Sequence, residues 1–194
     1  MTLNRIVRAA VLLLALIAAP ALAAPRVAIQ TSLGTIVVEV NERAAPITAR
    51  NFLRYVDAGK FDGTNFYRAA RSPSAPQFGL IQGGIDHNMR RAFFSIDHEP
   101  TSKTGLHHVD GTLSMARNAP GTAMGDFFIC VGAQPSLDAK GAYPGYAAFG
   151  RVVGGMGVVK KILAAPTWAG RGAGAFKGQV MIKRIPIVTV KRVG

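Results

Sequence analysis

Short alternating patterns of apolar and polar residues recur along most of this chain. Residues 26–31 and 35–40 alternate in this way on both sides of a Ser-Leu-Gly turn at 32–34. Because successive side chains of a strand point to opposite faces, the pattern predicts a β-hairpin with one face turned to the core. The predicted core positions of its second strand are Ile36, Val38 and Val40.

Two segments have a helical period instead. Between residues 46 and 58 apolar side chains recur at intervals of three and four, with Pro46 at the start and Gly59 just beyond the end. Proline is favoured at the first helical position and glycine just past the last, so we predict a helix over 46–58, although Ala45 is a poor N-cap. The same periodicity predicts a second helix over 155–164, with Pro166 beyond its end.

The remainder consists of short apolar segments and long loops rich in glycine and proline. Loops are predicted at 72–79, 86–109, 119–125 and 133–146, with 86–109 mostly loop. Strand material is predicted at 179–184 and 187–190, interrupted by Pro186. Many short strands with only two helices predict an all-β domain with a closed sheet.

The first 23 residues have the composition of a secretory signal peptide. Arg5 and Arg8 precede an apolar run at 9–19, and small residues suited to cleavage follow at 21–24. The run is shorter than the roughly 18 apolar residues of a membrane-spanning helix, so we expect cleavage before Ala24 and no stable membrane anchor afterwards. Residues 24–194 are then sufficient for one domain.

The formal net charge of +13 suggests a polyanionic partner. The cations are nevertheless scattered in short pairs such as Arg90-Arg91, without interleaved aromatic residues, so a specific nucleic-acid-binding function is disfavoured. The four histidines lack metal-ligand spacing, and the single cysteine, Cys130, has no disulfide partner and is expected to be buried and inert. We expect neither a metal nor another cofactor.

Candidate chemistry is concentrated in residues 65–68, 80–84, 113–116 and 126–128. If these segments are neighbouring strands, a cation, an amide and a carboxylate lie close together beside apolar surface. Alternation predicts three pairs of residues that each share a face: Phe66 with Arg68, Leu80 with Gln82, and Asp126 with Phe128.

The same segments contain, in order, Phe-x-Arg at 66–68, Gln-Gly-Gly at 82–84, Ser-Met-Ala at 114–116 and Phe-Phe-Ile at 127–129. In this order and spacing they resemble the cyclophilins, a family of peptidyl-prolyl cis-trans isomerases, and especially its exported bacterial members. The similarity extends from about Val27 to Val190. It implies an eight-stranded antiparallel β-barrel with a helix covering each end. The site would lie in an outer groove, because side chains fill such a barrel's interior.

The resemblance implies roles for individual residues. Arg68 would be catalytic, because a permanently protonated guanidinium can stabilise a twisted X-Pro amide, whose nitrogen becomes a hydrogen-bond acceptor. Gln82 would hydrogen-bond the substrate backbone. Phe66 is counted with the substrate-binding residues but is also expected in the core with Phe127 and Phe149. The other substrate-binding residues are Leu80, Phe128 and Leu137 around the proline ring, Ala116 and Arg117 beside the preceding residues, and Asp126 and Tyr146.

Two departures from the family pattern affect this site. Asp126 stands where glutamine is usual, and its carboxylate would either orient Arg68 or occupy its donors. The 72–79 loop is long and ends at Gly79, where an aromatic residue is typical, and Phe78 could fill that place from one position away.

We therefore predict a monomeric peptidyl-prolyl cis-trans isomerase of the bacterial periplasm that acts on proline-containing, unfolded or flexible polypeptides. Uncatalysed X-Pro isomerisation takes roughly tens to hundreds of seconds, which is slow enough to limit folding. The alternative is a catalytically weak proline-peptide binding module or folding helper, because Asp126 could lower the activity of Arg68.

Overall fold

The computed structural model describes residues 23–194, so the predicted signal peptide lies, apart from Ala23, outside the described residues. The described chain forms eight strands and three α-helices. In chain order these are β1 (Arg26–Thr31), β2 (Gly34–Val40), α1 (Pro46–Asp57), β3 (Thr64–Arg71), β4 (Gly79–Gly84), α2 (Thr101–Thr104), β5 (Thr112–Met115), β6 (Asp126–Val131), β7 (Ala147–Gly154), α3 (Met156–Leu163) and β8 (Val180–Val193).

The eight strands form a closed antiparallel barrel in the order β1-β2-β7-β5-β6-β4-β3-β8. Pairing between the first and last strands closes it, with Arg26 opposite Val193 and Ile29 opposite Val190. The structure thus confirms the predicted barrel and its opening hairpin. Helix α1 packs against β7 and β8, and α3 packs against β2, β3 and β4.

The last strand differs from the prediction of two segments. β8 continues through Pro186, which is exposed and lies next to the point where β8 changes its partner from β3 to β1. The carbonyl oxygen of Pro186 accepts a hydrogen bond from the backbone N–H of Ser32, at 3.1 Å. Proline lacks a backbone donor, and this change of partner allows the strand to contain one without a break.

A distant carboxylate compensates for the poor N-cap of α1. Ala45 provides no side-chain cap, but Glu99 accepts hydrogen bonds from the backbone N–H groups of Ile47 (3.1 Å) and Thr48 (2.7 Å). A carboxylate at this end also interacts favourably with the helix dipole. The 86–109 segment, which is mostly loop as predicted, is thereby attached to α1. None of the helices formed by residues 23–194 has the length and apolar character needed to cross a membrane.

Aromatic side chains fill much of the barrel core. The ring of Phe52 lies 5.3 to 5.5 Å from the rings of Phe61, Phe127 and Phe149. Cys130 is also buried, as predicted, and burial raises the pKa of its thiol to about 12, which disfavours the reactive thiolate. The predicted core positions Ile36, Val38, Val40, Phe127 and Phe149 are all fully buried.

Candidate active site

An outer pocket collects most of the predicted site residues. It lies over β3, β4 and β6, and segments following β5, β6 and α3 complete its walls. The predicted residues that line it are Arg68, Leu80, Gln82, Ala116, Arg117, Asp126, Phe128, Leu137 and Tyr146. Five further lining residues were not predicted: His87, Asn118, Thr122, Met124 and Phe176.

Phe66 is the predicted substrate-binding residue that does not belong to this pocket. Its side chain is fully buried in the core, where its ring lies 5.9 Å from that of Phe127. The prediction that Phe66 and Arg68 share a face is also wrong, because the pairing register of β3 shifts between them. Such a β-bulge changes the direction of the side chains that follow it. The polar ends of both Tyr67 and Arg68 consequently reach residues of the pocket.

Three contacts hold the guanidinium of Arg68. Its Nη1 donates to Oε1 of Gln82 at 2.7 Å, its Nε donates to Oε1 of Gln179 at 2.8 Å, and the ring of Phe176 lies 4.1 Å from its central carbon. The two hydrogen bonds use two of the five N–H groups of the side chain. Burial lowers the pKa of Arg68, but a guanidinium remains protonated at neutral pH. The group is thus fixed in orientation and keeps donors for a ligand.

The carboxylate of Asp126 is bound by groups other than Arg68. Its Oδ1 accepts hydrogen bonds from the Tyr67 hydroxyl (3.1 Å) and the Asp86 backbone N–H (2.8 Å), and its Oδ2 accepts one from the His87 backbone N–H (3.2 Å). Burial raises the pKa of Asp126, and the two backbone donors oppose that rise. The carboxylate faces these donors, so the expectation that it occupies the donors of Arg68 is wrong, and it does not orient the guanidinium by direct contact.

Gln82 and the two glycines that follow it lie within β4, so the Gln-Gly-Gly sequence forms strand and not a tight turn. A Cβ atom at Gly83 would lie 2.7 Å from the ring of Phe66 and 2.9 Å from the carbonyl oxygen of Asn65. Glycine therefore allows β4 to pass close to β3. This close approach brings Gln82 within hydrogen-bonding distance of Arg68.

The apolar wall of the pocket is centred on Phe128. The imidazole of His108 lies almost parallel to this ring, at 5.8 Å between centroids, and Tyr146 meets it edge-on at 5.5 Å. Arg117 supports Tyr146 in turn, with its guanidinium 4.8 Å from the centre of the phenol ring and a hydrogen bond to the carbonyl oxygen of Gly145.

A buried histidine, His108, supports this apolar wall through hydrogen bonds to residues on two different segments. His108 donates from Nδ1 to the carboxylate of Asp138 at 2.6 Å and accepts from the Ser114 hydroxyl at Nε2, at 2.9 Å. The carboxylate determines this assignment because an ionised carboxylate only accepts. Burial lowers the pKa of His108, which favours the neutral ring. Asp138 follows Leu137 in the chain, so His108 connects β5 to the segment that carries Leu137.

Glycine at position 79 has a steric cause. Gly79 is buried with φ 145°, and a Cβ atom there would clash with the carbonyl oxygen of Ala70. The expectation that Phe78 fills the missing aromatic position is wrong, because its ring packs at Gly132 beyond the end of β6 and is 45% exposed. Phe176, about a hundred residues further along, contributes the aromatic surface beside Arg68 instead.

The missed residues had weak sequence signals. Phe176 and Gln179 lie in and just after a glycine-rich stretch that suggests only a turn. Regular alternation places Tyr67 on the face opposite Arg68, so the sequence alone does not indicate a role for Tyr67 in the pocket. Its position between Phe66 and Arg68 would have identified it only if the bulge were known.

The chain matches a known protein family over nearly all of the residues that the structure describes. A sequence profile described as "Cyclophilin type peptidyl-prolyl cis-trans isomerase/CLD" matches residues 26–191. The chain therefore belongs to the cyclophilin-type peptidyl-prolyl cis-trans isomerase family.

Two bacterial relatives and one solved structure illustrate the similarity. A peptidyl-prolyl cis-trans isomerase of Acinetobacter baylyi is 39% identical over 153 residues, which cover 78% of this chain and 79% of the relative. Peptidyl-prolyl cis-trans isomerase A of Dickeya dadantii is 36% identical over 164 residues, covering 82% and 84%. A cyclophilin of Cryptosporidium parvum, solved in the presence of the dipeptide Ala-Pro, matches the fold with a TM-score of 0.68, 24% identity, and coverage of 87% of this chain and 99% of that one.

Proposed function

We propose that this isomerase rotates X-Pro bonds of unfolded or flexible exported proteins and that Arg68 is its catalytic residue. The observation that carries the proposal is the guanidinium of Arg68, held by Gln82 and Gln179 at the edge of an apolar wall. The apolar part of the pocket would receive a proline ring, and the cationic part would face the amide nitrogen of the same residue.

The chemical task suits a fixed cation. Rotation about an X-Pro bond faces a barrier of about 18–20 kcal/mol, because the nitrogen lone pair is delocalised into the carbonyl group. In the twisted amide the nitrogen regains its lone pair and can accept a hydrogen bond from Arg68. A charge-assisted hydrogen bond made only in that state contributes about 1.5–3 kcal/mol, or roughly tenfold to a hundredfold in rate.

The rest of the acceleration comes from holding the peptide on both sides of the bond. Leu80, Phe128 and Leu137 line the pocket as apolar surface for the proline ring. Ala116 and Arg117 line the adjoining part, where the residues before proline would lie. Substrate binding of this kind fixes one side of the bond while the other side turns.

Export to the periplasm is part of the same proposal. It is supported by the basic start, short apolar run and small residues of the first 23 positions. The working unit would be a monomer of residues 24–194. Fractionation of bacteria that express the full chain, with N-terminal sequencing and light scattering of the mature protein, tests these points. A protein retained in the cytoplasm with residues 1–23 intact would contradict export.

The catalytic assignment is tested with an Ala-Pro peptide. We expect the mature protein to accelerate cis-to-trans conversion and Arg68→Ala to lose at least about tenfold of kcat/KM. Arg151→Ala is the matched control, because Arg151 lies on β7 with 70% of its side chain exposed and pairs with Glu39. A folded wild-type protein that binds the peptide without accelerating its isomerisation would instead support the binding-module alternative.

A further inference from the structure

A continuous series of hydrogen bonds connects Asp126 to the proposed catalytic cation. The Tyr67 hydroxyl donates to Oδ1 of Asp126 at 3.1 Å, Nε2 of Gln82 donates to the Tyr67 oxygen at 2.8 Å, and Nη1 of Arg68 donates to Oε1 of Gln82 at 2.7 Å. Tyr67, Gln82 and Asp126 are all buried. The series therefore has little competition from water.

The direction of each hydrogen bond follows from the charge at its far end. An ionised Asp126 can only accept, so the hydroxyl hydrogen of Tyr67 points to it. The Tyr67 oxygen is then free to accept from the amide nitrogen of Gln82. With that nitrogen engaged, Gln82 turns its carbonyl oxygen toward Arg68, the orientation that a guanidinium requires.

We propose that Asp126 and Tyr67 are positioning residues, which hold the Gln82 amide so that its oxygen faces Arg68 and thereby orient the catalytic guanidinium. This inference rests on the proposed function of Arg68. It assigns Asp126 an indirect role, exerted through Tyr67 and Gln82, in place of a direct contact with Arg68.

Protonation of Asp126 would reverse the donor and acceptor roles along this series of hydrogen bonds. A protonated carboxyl group can donate to the Tyr67 oxygen, and the Tyr67 hydrogen then turns to Gln82. Gln82 must accept that hydrogen with its oxygen, which leaves its NH₂ group facing the N–H groups of Arg68. Two donors then face each other, and the guanidinium loses its hydrogen bond to Gln82 while keeping its contacts with Gln179 and Phe176.

Several charged or titratable groups surround Asp126. Tyr67 of β3 donates to it, Tyr55 of α1 lies near it, and His87 places Nδ1 3.8 Å from Oδ2. The Asp86 side chain pairs with Arg184 of β8 at 2.6 Å. Burial raises the pKa of Asp126, so its protonation should occur above the ordinary aspartate range near about 3.9.

The test measures kcat and KM for an Ala-Pro peptide by exchange NMR between about pH 4 and pH 8, since this method needs no coupling protease. Tyr67→Phe should lower kcat about threefold to tenfold at neutral pH, with a smaller change in KM. Tyr55→Phe is the matched control, because Tyr55 is also a buried tyrosine, and its hydroxyl accepts the Phe93 backbone N–H away from the pocket. It should lose stability without losing kcat.

The pH profile separates positioning from a merely structural role. Wild type should lose kcat on the acid side, and His87→Gln should keep that acid limb, which shows that His87 is not its source. Asp126→Asn retains an oxygen that can accept from Tyr67 but does not titrate, and its NH₂ group replaces the oxygen that accepts the His87 backbone N–H. It should therefore lower kcat at neutral pH and lose the acid limb. Circular dichroism at each pH verifies folding.

Two results would overturn the inference. One is a folded Tyr67→Phe protein with wild-type kcat and an unchanged acid limb. The other is an acid limb that persists in Asp126→Asn. Failure of the proposed function would look different from failure of this inference. Wild type would then show no acceleration of isomerisation at any pH, and the positioning role of Asp126 and Tyr67 would be excluded with it.

Discussion

Two adjacent residues of β6 show how differently the two faces of this barrel are built. Phe127 points inward, where it meets the rings of Phe52 and Phe61 edge-on at 5.5 and 5.4 Å. Phe128 points outward, between His108 and Tyr146. The inner face is held by apolar packing, which depends mainly on volume. The outer face also depends on hydrogen bonds, which have direction. Changes inside should therefore affect stability, and changes outside should affect catalysis.

The largest expected effect is on the inner face. Phe127→Ala removes a fully buried ring and leaves a cavity among aromatic side chains, which should lower the free energy of unfolding by about 3–5 kcal/mol. Urea denaturation measures this loss. The kcat/KM of the molecules that remain folded should change little. A large loss of kcat/KM at conditions of full folding would show that the two faces are not independent.

On the outer face the neighbouring substitution should have the opposite profile. Phe128→Ala removes apolar surface that the proline ring would contact, so kcat/KM should fall about tenfold or more. Its stability loss should be smaller than that of Phe127→Ala, because the pocket can admit water at this side. Equal stability losses with unchanged kinetics would contradict the assignment of Phe128 to the substrate wall.

A smaller effect is expected at the rim of the pocket. Phe176→Leu removes the aromatic face over Arg68, and a cation–π contact at a partly exposed site contributes about 0.5–1 kcal/mol, or roughly twofold to fivefold in kcat/KM. Trp168→Leu provides the matched control, since Trp168 is similarly exposed (46% against 41%) in the same part of the chain. Identical kinetics for both variants would exclude a role for Phe176.

The smallest effect is expected on the pH dependence of stability, through His108, whose ring stacks on Phe128. Burial lowers the folded-state pKa of His108, so the unfolded chain takes up its proton first as the pH falls. The stabilising contribution is present above the unfolded pKa of about 6.5 and is lost as the pH falls from there toward the folded-state pKa. The free energy of unfolding is measured for wild type and His108→Asn at about pH 7.5 and about pH 5.5, on the two sides of the unfolded-state pKa of histidine. The pH dependence should be weaker in the variant, and an equal dependence in both proteins would show that His108 is not its source.

Much of the architecture followed from periodicity and from the family motifs. Helix α1 and the hairpin of β1 and β2, with its core positions Ile36, Val38 and Val40, depend on local alternation or helical spacing, which short windows of sequence record. The pocket residues from Arg68 to Tyr146 are predicted by the resemblance to the cyclophilin motifs. The structure brings these residues together because motifs distant in sequence lie on neighbouring strands.

The rest depends on contacts between distant residues or on local irregularity. The bulge after Phe66 changes which side chains of β3 share a face, and no residue type in this segment indicates a bulge. Glu99 caps a helix that begins more than fifty positions earlier, and Phe176 reaches Arg68 across more than a hundred. The periodicity of apolar residues and the helix or strand propensities of single residues contain no information about contacts between residues so far apart in the sequence.

Closure of the barrel by β8 also determines when the protein can fold. A polypeptide is synthesised from its N-terminus, so β1 and β3 exist long before the strand that lies between them. Until β8 arrives, both strands expose unpaired backbone groups that favour association with other chains. The native barrel can therefore close only after β8 has been synthesised.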